Sequence, residues 1–307
     1  MGYTDHFRFE REPFSNAPND KFYFDSEQHR QALLRLKYSV DSDKGLAVLV
    51  GGVGTGKTTL ARRMLDNLPV ENYESSLLVM IHSAVTPVWL LSRICMQLGV
   101  LNPAADPLRM LKQLYDRLLQ IEGEGRKAVV LIDEAQMLQT RELMEEFRGL
   151  LNLEIPGKKL LNIVFFGLPA LDEVMRLDAP LAQRVAFKYT LTPLSPRETA
   201  AYITYRLKVA GCVASPFAPE TLSLIQRFSG GVPRLINTIC DNALFETFVR
   251  HGAEVTSDIV SNVVEDLGLN VPTLPPDLAA LAPEPERFFD GESAEDLEIV
   301  FDELEKI

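Results

Sequence analysis

Eight consecutive residues, Gly51, Gly52, Val53, Gly54, Thr55, Gly56, Lys57 and Thr58, have the types and spacing to grip a triphosphate. They fit the pattern G-x-x-x-x-G-K-[ST], with an apolar run at 46–50 before them and a helical pattern at 58–67 after them. Glycines let main-chain amides turn inward around phosphate oxygens, and the start of the helix adds its positive end. Lys57 is placed to reach the β- and γ-phosphates and the Thr58 hydroxyl to ligate Mg²⁺, with Thr59 completing the cradle. A glycine-rich turn that binds nothing is the plain alternative, against which the Lys-Thr pair and both flanks weigh. ATP with Mg²⁺ is the expected ligand, and its hydrolysis the expected reaction.

A second group lies downstream. Val129, Val130, Leu131 and Ile132 run into Asp133 and Glu134, so two carboxylates stand at the C-terminal end of a buried strand. Asp133 is placed to hold Mg²⁺ through water, and Glu134 to orient or deprotonate the attacking water. Alone, such a strand end can merely cap the next helix. In the same sheet as a phosphate cradle, it is expected to be catalytic.

The elements that must position these groups follow from periodicity. Short apolar runs at 46–50, 77–81, 128–132 and 161–166 read as buried parallel strands, and 185–191 as a fifth. Helical patterns fill the intervals, including 87–98 and 107–121, where Leu108, Leu111, Leu114, Tyr115 and Leu118 share one face. Trp89 reads as core. After Pro193 the strands stop, and 196–210, 219–228, 233–250 and 257–267 all read as helices. The expected fold class is α/β: a five-stranded parallel sheet flanked by helices, with a small all-helical lid domain. The expected domains are a nucleotide-binding core at 1–193, the lid at 194–268, and an acidic, proline-rich flexible tail at 269–307. Near the end of that tail Leu297, Val300, Phe301 and Leu304 fall at amphipathic spacing, consistent with a docking helix or with a chance pattern.

The whole chain has 307 residues and a net charge of −12. Eleven acidic residues against two basic ones lie in 271–307, so the remainder is close to neutral and the acidity mostly describes the tail. Cys95, Cys212 and Cys240 are sparse and odd in number, which suggests buried thiols in a reducing compartment rather than a disulfide framework. No run is long enough to span a bilayer, and the N-terminus has no signal-peptide core. A cytoplasmic protein is expected. The basic pairs Arg62-Arg63, Arg126-Lys127 and Lys158-Lys159 are candidates for a DNA-facing strip, with solvated surface charge as the alternative.

Taken in order, the segments GLAVLVGGVGTGKTTLARRML, VVLIDEAQML, LLNLE, FFGLPALDE, LAQRVAFKYTLTPLSPRETAAYITYRL and GVPRLINTICDNAL resemble the AAA+ ATPases, specifically the ExeA/GspA secretion type. The opening PFSNAPNDKFYFDSEQHRQALLRLKYSV belongs to the same likeness, which runs over about 3–268. The chain is also similar to transposition-regulator ATPases that assemble on DNA, and more distantly to origin-recognition initiators. The resemblance implies an arginine finger at Arg184, reaching a neighbouring subunit's γ-phosphate, where a surface salt bridge is the alternative. It implies a second sensor at Arg234 on the lid, where a solvent-facing arginine at a helix start is the alternative. Phe14 and Pro18 could pack near adenine or be plain core.

Two departures qualify the likeness. The family pattern Gly-Gln-Pro-Glu-Leu is here Gly167-Leu168-Pro169-Ala170-Leu171, so the first-sensor position holds Leu168, which cannot hydrogen-bond a water. Asn162 or Asn152 are candidate substitutes, and slow or partner-stimulated turnover is expected. Secretion members often continue into a membrane span and a peptidoglycan-binding domain, so this chain is not expected to act on the cell wall itself. The expected partners are further copies of the chain, assembled with ATP, and a protein of a bacterial cell-envelope machine for secretion, export or motility. That partner is expected to recruit the chain to the inner-membrane face. A DNA-bound filament-forming ATPase and a nucleotide-gated switch that recruits a partner through the tail are the alternatives.

Overall fold

Within each central strand, successive apolar residues feed opposite layers. In a computed structural model describing residues 2–17 and 19–269, Leu46, Val48 and Val50 of β1 (Leu46–Gly51) join one buried cluster, while Ala47 and Leu49 join another. The same period of two divides β3 (Lys127–Asp133) and β6 (Leu161–Gly167). A sheet apolar on both faces must be covered on both. With the edge strands β2 (Tyr73–Val79) and β7 (Val185–Leu191), the order is β2-β3-β6-β1-β7, all parallel.

On one face lie α2 (Glu27–Asp41) and α3 (Lys57–Asp66). On the other lie α4 (Pro87–Gln97), α5 (Pro107–Gly123), α6 (Arg141–Leu150), α7 (Leu171–Met175) and α8 (Ala179–Ala182). Local chemistry starts these helices where they start. Ser26, Thr86, Asp106, Thr140 and Asp178 each accept a main-chain amide of the first turn, and prolines follow at Pro87 and Pro107. Beyond β7 come α9 (Pro196–Val209), α10 (Pro219–Ser229), α11 (Pro233–Val249) and α12 (Ser257–Asp266). They share a separate apolar cluster, into which the first 24 residues, including the short α1 (Tyr3–His6), send Phe9, Phe14 and Phe22. The N-terminal segment thus packs with the lid helices rather than on the sheet.

Several expectations are corrected. The second strand begins at Tyr73 and ends at Val79, not 77–81. As an edge strand, it carries Glu74 and Ser75 on partly open positions and a buried Ser76, which together mask its apolar period, and Ile81 beyond it is solvent-exposed. Residues 154–159 form a small hairpin, β4 (Glu154–Ile155) with β5 (Lys158–Lys159), instead of continuing a helix. Trp89 is 41% exposed, under the Arg93 guanidinium, and Leu108 is 78% exposed while Met110 takes the buried position. The tail segment, with Leu297, Val300, Phe301 and Leu304, lies outside the described residues, as does Pro18.

A close main-chain contact holds the start of the lid, just beyond β7, to the turn before α11. Gly231 adopts φ +75°, accepts a hydrogen bond from the Leu194 amide at 2.8 Å, and would carry a Cβ only 2.0 Å from the Leu194 carbonyl oxygen. Gly231→Ala is therefore expected to destabilise the fold by about 2 kcal/mol or more, from backbone strain and a broken approach. Urea unfolding followed by circular dichroism checks this, and an unchanged midpoint would rule the constraint out.

Candidate nucleotide site

The first strand delivers its C-terminal glycine to the cradle, and the helix after it begins at Lys57 with Gly56 as its left-handed cap. The ends of β1, β6 and β3 stand side by side, so the cradle, Leu168 and the carboxylate pair face one crevice. Val53, Gly54, Thr55, Gly56, Lys57, Thr58 and Thr59 line a cavity of about 310 Å³ together with Glu134, Leu168 and Arg234. Gly51, Gly52 and Asp133 do not line it, but each adjoins a residue that does, Thr55, Val53 and Glu134 respectively. Lys57 is buried, and its Nζ donates to the Gly52 carbonyl at 2.9 Å, as does the Thr55 hydroxyl. Burial lowers the Lys57 pKa, while Glu134 and Asp133 pull it back up.

Asp133 is fully buried, and its Oδ1 accepts the Glu134 amide at 3.0 Å. Its Oδ2 is buried with no hydrogen-bond partner. Burial raises the carboxyl's pKa, against the opposing pull of the Thr58 hydroxyl and the Glu134 amide. An orphaned carboxylate oxygen beside a threonine hydroxyl at a phosphate cradle fits a hydrated Mg²⁺ ion. Glu134 itself is held at φ +55°, an uncommon conformation for a residue with a side chain.

The lid closes on the cradle through main chain. The Arg234 amide donates to the Gly54 carbonyl at 3.3 Å, and Gly54, at φ +77°, would put a Cβ 2.8 Å from that of Arg234. Among the described residues the Arg234 guanidinium has no hydrogen-bond or ion-pair partner, and it is exposed at the cavity wall. Arg184 is elsewhere. Half-buried between α8 and β7, it donates to the Arg148 carbonyl of α6 at 3.1 Å and does not line the cavity.

Other wall residues carried no legible signal in the sequence. Arg206 of α9 is buried, donating to the Pro13 and Ser15 carbonyls at 2.6 and 2.9 Å and to the Tyr202 hydroxyl at 2.8 Å. Tyr202 donates on to Asn237, and Asn237 to Asn16, so the N-terminal segment and lid share one polar network at the cavity. Beneath the cradle, His29 is buried, with its ring nitrogens at Ser26 Oγ (2.6 Å) and the Thr55 carbonyl (3.3 Å), and burial lowers its pKa. Phe14 is core, packed edge-on against Phe217. Neither proposed stand-in for the first sensor reaches the cavity. Asn162 sits at the opposite end of its strand, bonded to Gly45 and Asp43, and Asn152 is exposed after α6.

Two of the three basic pairs are neutralised locally. Arg126 pairs with Glu74 and Glu124, Lys127 with Asp43, Lys158 with Glu122 and Lys159 with Glu154. They gather at the end of the sheet away from the cradle. Arg63 lies 5.2 Å over the Tyr23 ring.

A family model described as an AAA domain matches residues 40–175. General secretion pathway protein A of Aeromonas hydrophila is 40% identical over 262 residues. The chain belongs to the AAA+ family. Within it, the likeness is to the GspA type, and the alignment takes in 84% of this chain and 47% of that relative. The chain thus spans about half the length of the curated protein it matches. Solved structures share the AAA+ fold at low identity. Cdc6p from Pyrobaculum aerophilum has a TM-score of 0.64 at 15% identity, over 88% of this chain and 73% of that one. The Aeropyrum pernix ORC2 protein, in ADPNP-ADP complexes, has a TM-score of 0.60 at 18% identity, over 84% and 72%. AAA+ P-loop proteins in general bind and hydrolyse ATP. Among the described residues no helix is long and apolar enough to cross a membrane.

Because burial raises the Asp133 carboxyl, the folded chain holds that proton more tightly than the unfolded one, and ionisation at neutral pH detracts from stability. Asp133→Asn is expected to raise the melting temperature of the ligand-free AAA+ chain, yet abolish the further rise that ATP with Mg²⁺ gives the wild type. Differential scanning calorimetry separates the two effects. A ligand-free melting temperature that falls would contradict the unpaired-charge account.

Proposed function

We propose that the chain is an assembly ATPase whose site is completed by a second copy. ATP sits between the α/β core, which ends at residue 193, and the helical lid of 194–268, with the N-terminal segment on the lid's side of the cavity. Amides of 52–57 take the phosphate oxygens, and Lys57 leaves the Gly52 carbonyl to reach the β- and γ-phosphates. Thr58 and Asp133 would hold Mg²⁺, which would offset the charge of the phosphate oxygens. Glu134 accepts the proton of the attacking water, and Arg234 carries the phosphate's charge to the lid.

One observation supports the assembly reading above all. Every proposed group but one lines or backs a single cavity, and the exception, Arg184, is turned to the carbonyl of Arg148 outside it. An arginine so placed can stabilise charge at a neighbour's γ-phosphate but not at its own. Turnover is then slow in the isolated chain and rises on assembly. By analogy with general secretion pathway protein A, the partner is a protein of a bacterial cell-envelope machine, and the chain works on the cytoplasmic side of the inner membrane. The ion pairing of Arg126, Lys127, Lys158 and Lys159 leaves the DNA-bound alternative without its main support in the sequence.

Lys57→Ala is expected to abolish ATP binding, and Arg184→Ala to retain binding while losing hydrolysis on the order of 10³-fold. Mixed together, the two inactive variants should recover part of the wild-type rate, because each supplies what the other lacks. Phosphate release measured against mixing ratio tests this. Mixtures that stay at the level of the separate variants would reject a trans role for Arg184, and undiminished ATP uptake by Lys57→Ala would reject the site.

A further inference from the structure

The first-sensor position, Leu168, has no polar side chain, but its main chain is engaged. Its amide donates to Gln136 Oε1 at 2.9 Å. The other half of the same side-chain amide, Gln136 Nε2, donates to Glu134 Oε2. Gln136 is buried and lies in the single 3-10 turn, Ala135–Met137, that follows the carboxylate pair. A Cβ on Gly167 would approach Gln136 Oε1 at 3.0 Å, so the glutamine is seated directly against the end of β6. The strand between the cradle strand and the carboxylate strand is thereby tied to the carboxylate of Glu134 by one side chain.

We infer that Gln136 is a positioning residue for hydrolysis, aligning the Glu134 carboxylate from the main chain of β6 in place of a polar first-sensor side chain. A glutamine suits this because its amide is at once acceptor and donor, and here each function has one partner. Burial makes both bonds costly to lose and fixes the amide's orientation. Glu134 sits in a left-handed backbone conformation with a flexible side chain, so without this bond its carboxylate is free to swing among rotamers. Gln136 does not line the ATP cavity, and so acts through Glu134 rather than on nucleotide. The inference rests on the proposed ATPase reading of this crevice.

Two substitutions separate alignment from mere packing. Gln136→Met fills the space and makes neither bond. Gln136→Glu keeps an acceptor for the Leu168 amide but loses the donor and sets a like charge beside Glu134. Magnesium-dependent phosphate release is measured as kcat and KM for both variants, beside wild type and Glu134→Gln, with binding of a fluorescent ATP analogue and the melting temperature. Both variants are expected to lose kcat by about 10- to 100-fold, with KM and analogue affinity within about twofold of wild type. In the Glu134→Gln background, Gln136→Met should have no further effect. Wild-type kcat in Gln136→Glu would reduce the residue to an anchor for β6 and overturn the inference, as would a rise in KM matching the loss in rate. Wild-type protein with no magnesium-dependent hydrolysis, alone or assembled, would instead overturn the ATPase reading and this inference with it.

Discussion

A buried lysine and a buried carboxylate, Lys57 and Asp133, at the ends of the two strands that flank β6, set the terms for the rest of this molecule. Burying an ammonium and a carboxylate is costly, and here the cost is only partly offset within the chain. Lys57 has a carbonyl to donate to, and Asp133 has one oxygen satisfied and one orphaned. Such an arrangement persists because the surrounding structure over-determines it. Both faces of the sheet are sealed by apolar layers, and the strand carrying Asp133 has essentially no exposed residue between Ala128 and Asp133. The stability of the sheet underwrites groups that a phosphate and a cation would satisfy.

The lid has a different role. Its helices contribute little to the sheet but bring main chain and an arginine against the cradle, where Gly54 permits the approach. The N-terminal segment belongs to this half of the structure in packing terms. Its aromatics fill the lid's core, and Arg206 holds its carbonyls. Gln28 hydrogen-bonds the main chain at Thr192, so the two places where the chain passes between sheet and lid are fastened to each other. A cavity wall formed jointly by the segment and the lid would respond to nucleotide as one body, a simple route by which phosphate chemistry could be felt at a distance.

Arg184 and Gln136 illustrate two ways in which a catalytic group can be incomplete in a single chain. Arg184 is away from the cavity, bonded to the Arg148 carbonyl, and under the proposed function it serves a neighbouring copy. Glu134 is inside the cavity, but its direction is set by a neighbour. Replacing a polar first sensor with Leu168 moves that task from a side chain to a peptide amide, with a buried glutamine as the intermediary.

How much of this was legible in the sequence depends on the range of the interaction. The cradle, the carboxylate pair and four of the five strands were readable because each depends on local rules: a fixed spacing, an apolar run, a capping residue before a helix. The edge strand was misplaced because solvent on one side removes the periodicity that burial imposes. The hairpin at 154–159 was missed because its two-residue strands are too short to show a period. Arg206, Asn237, His29 and Gln136 had no signal, since a polar residue's role in a buried network is set by partners up to about two hundred positions away. Residue types and spacing alone determined that this chain can hold a triphosphate. Only the tertiary structure decided which arginine lies at the cavity wall, which lies outside it, and what bonds the glutamate, because those are facts of proximity between segments that the chain order does not contain.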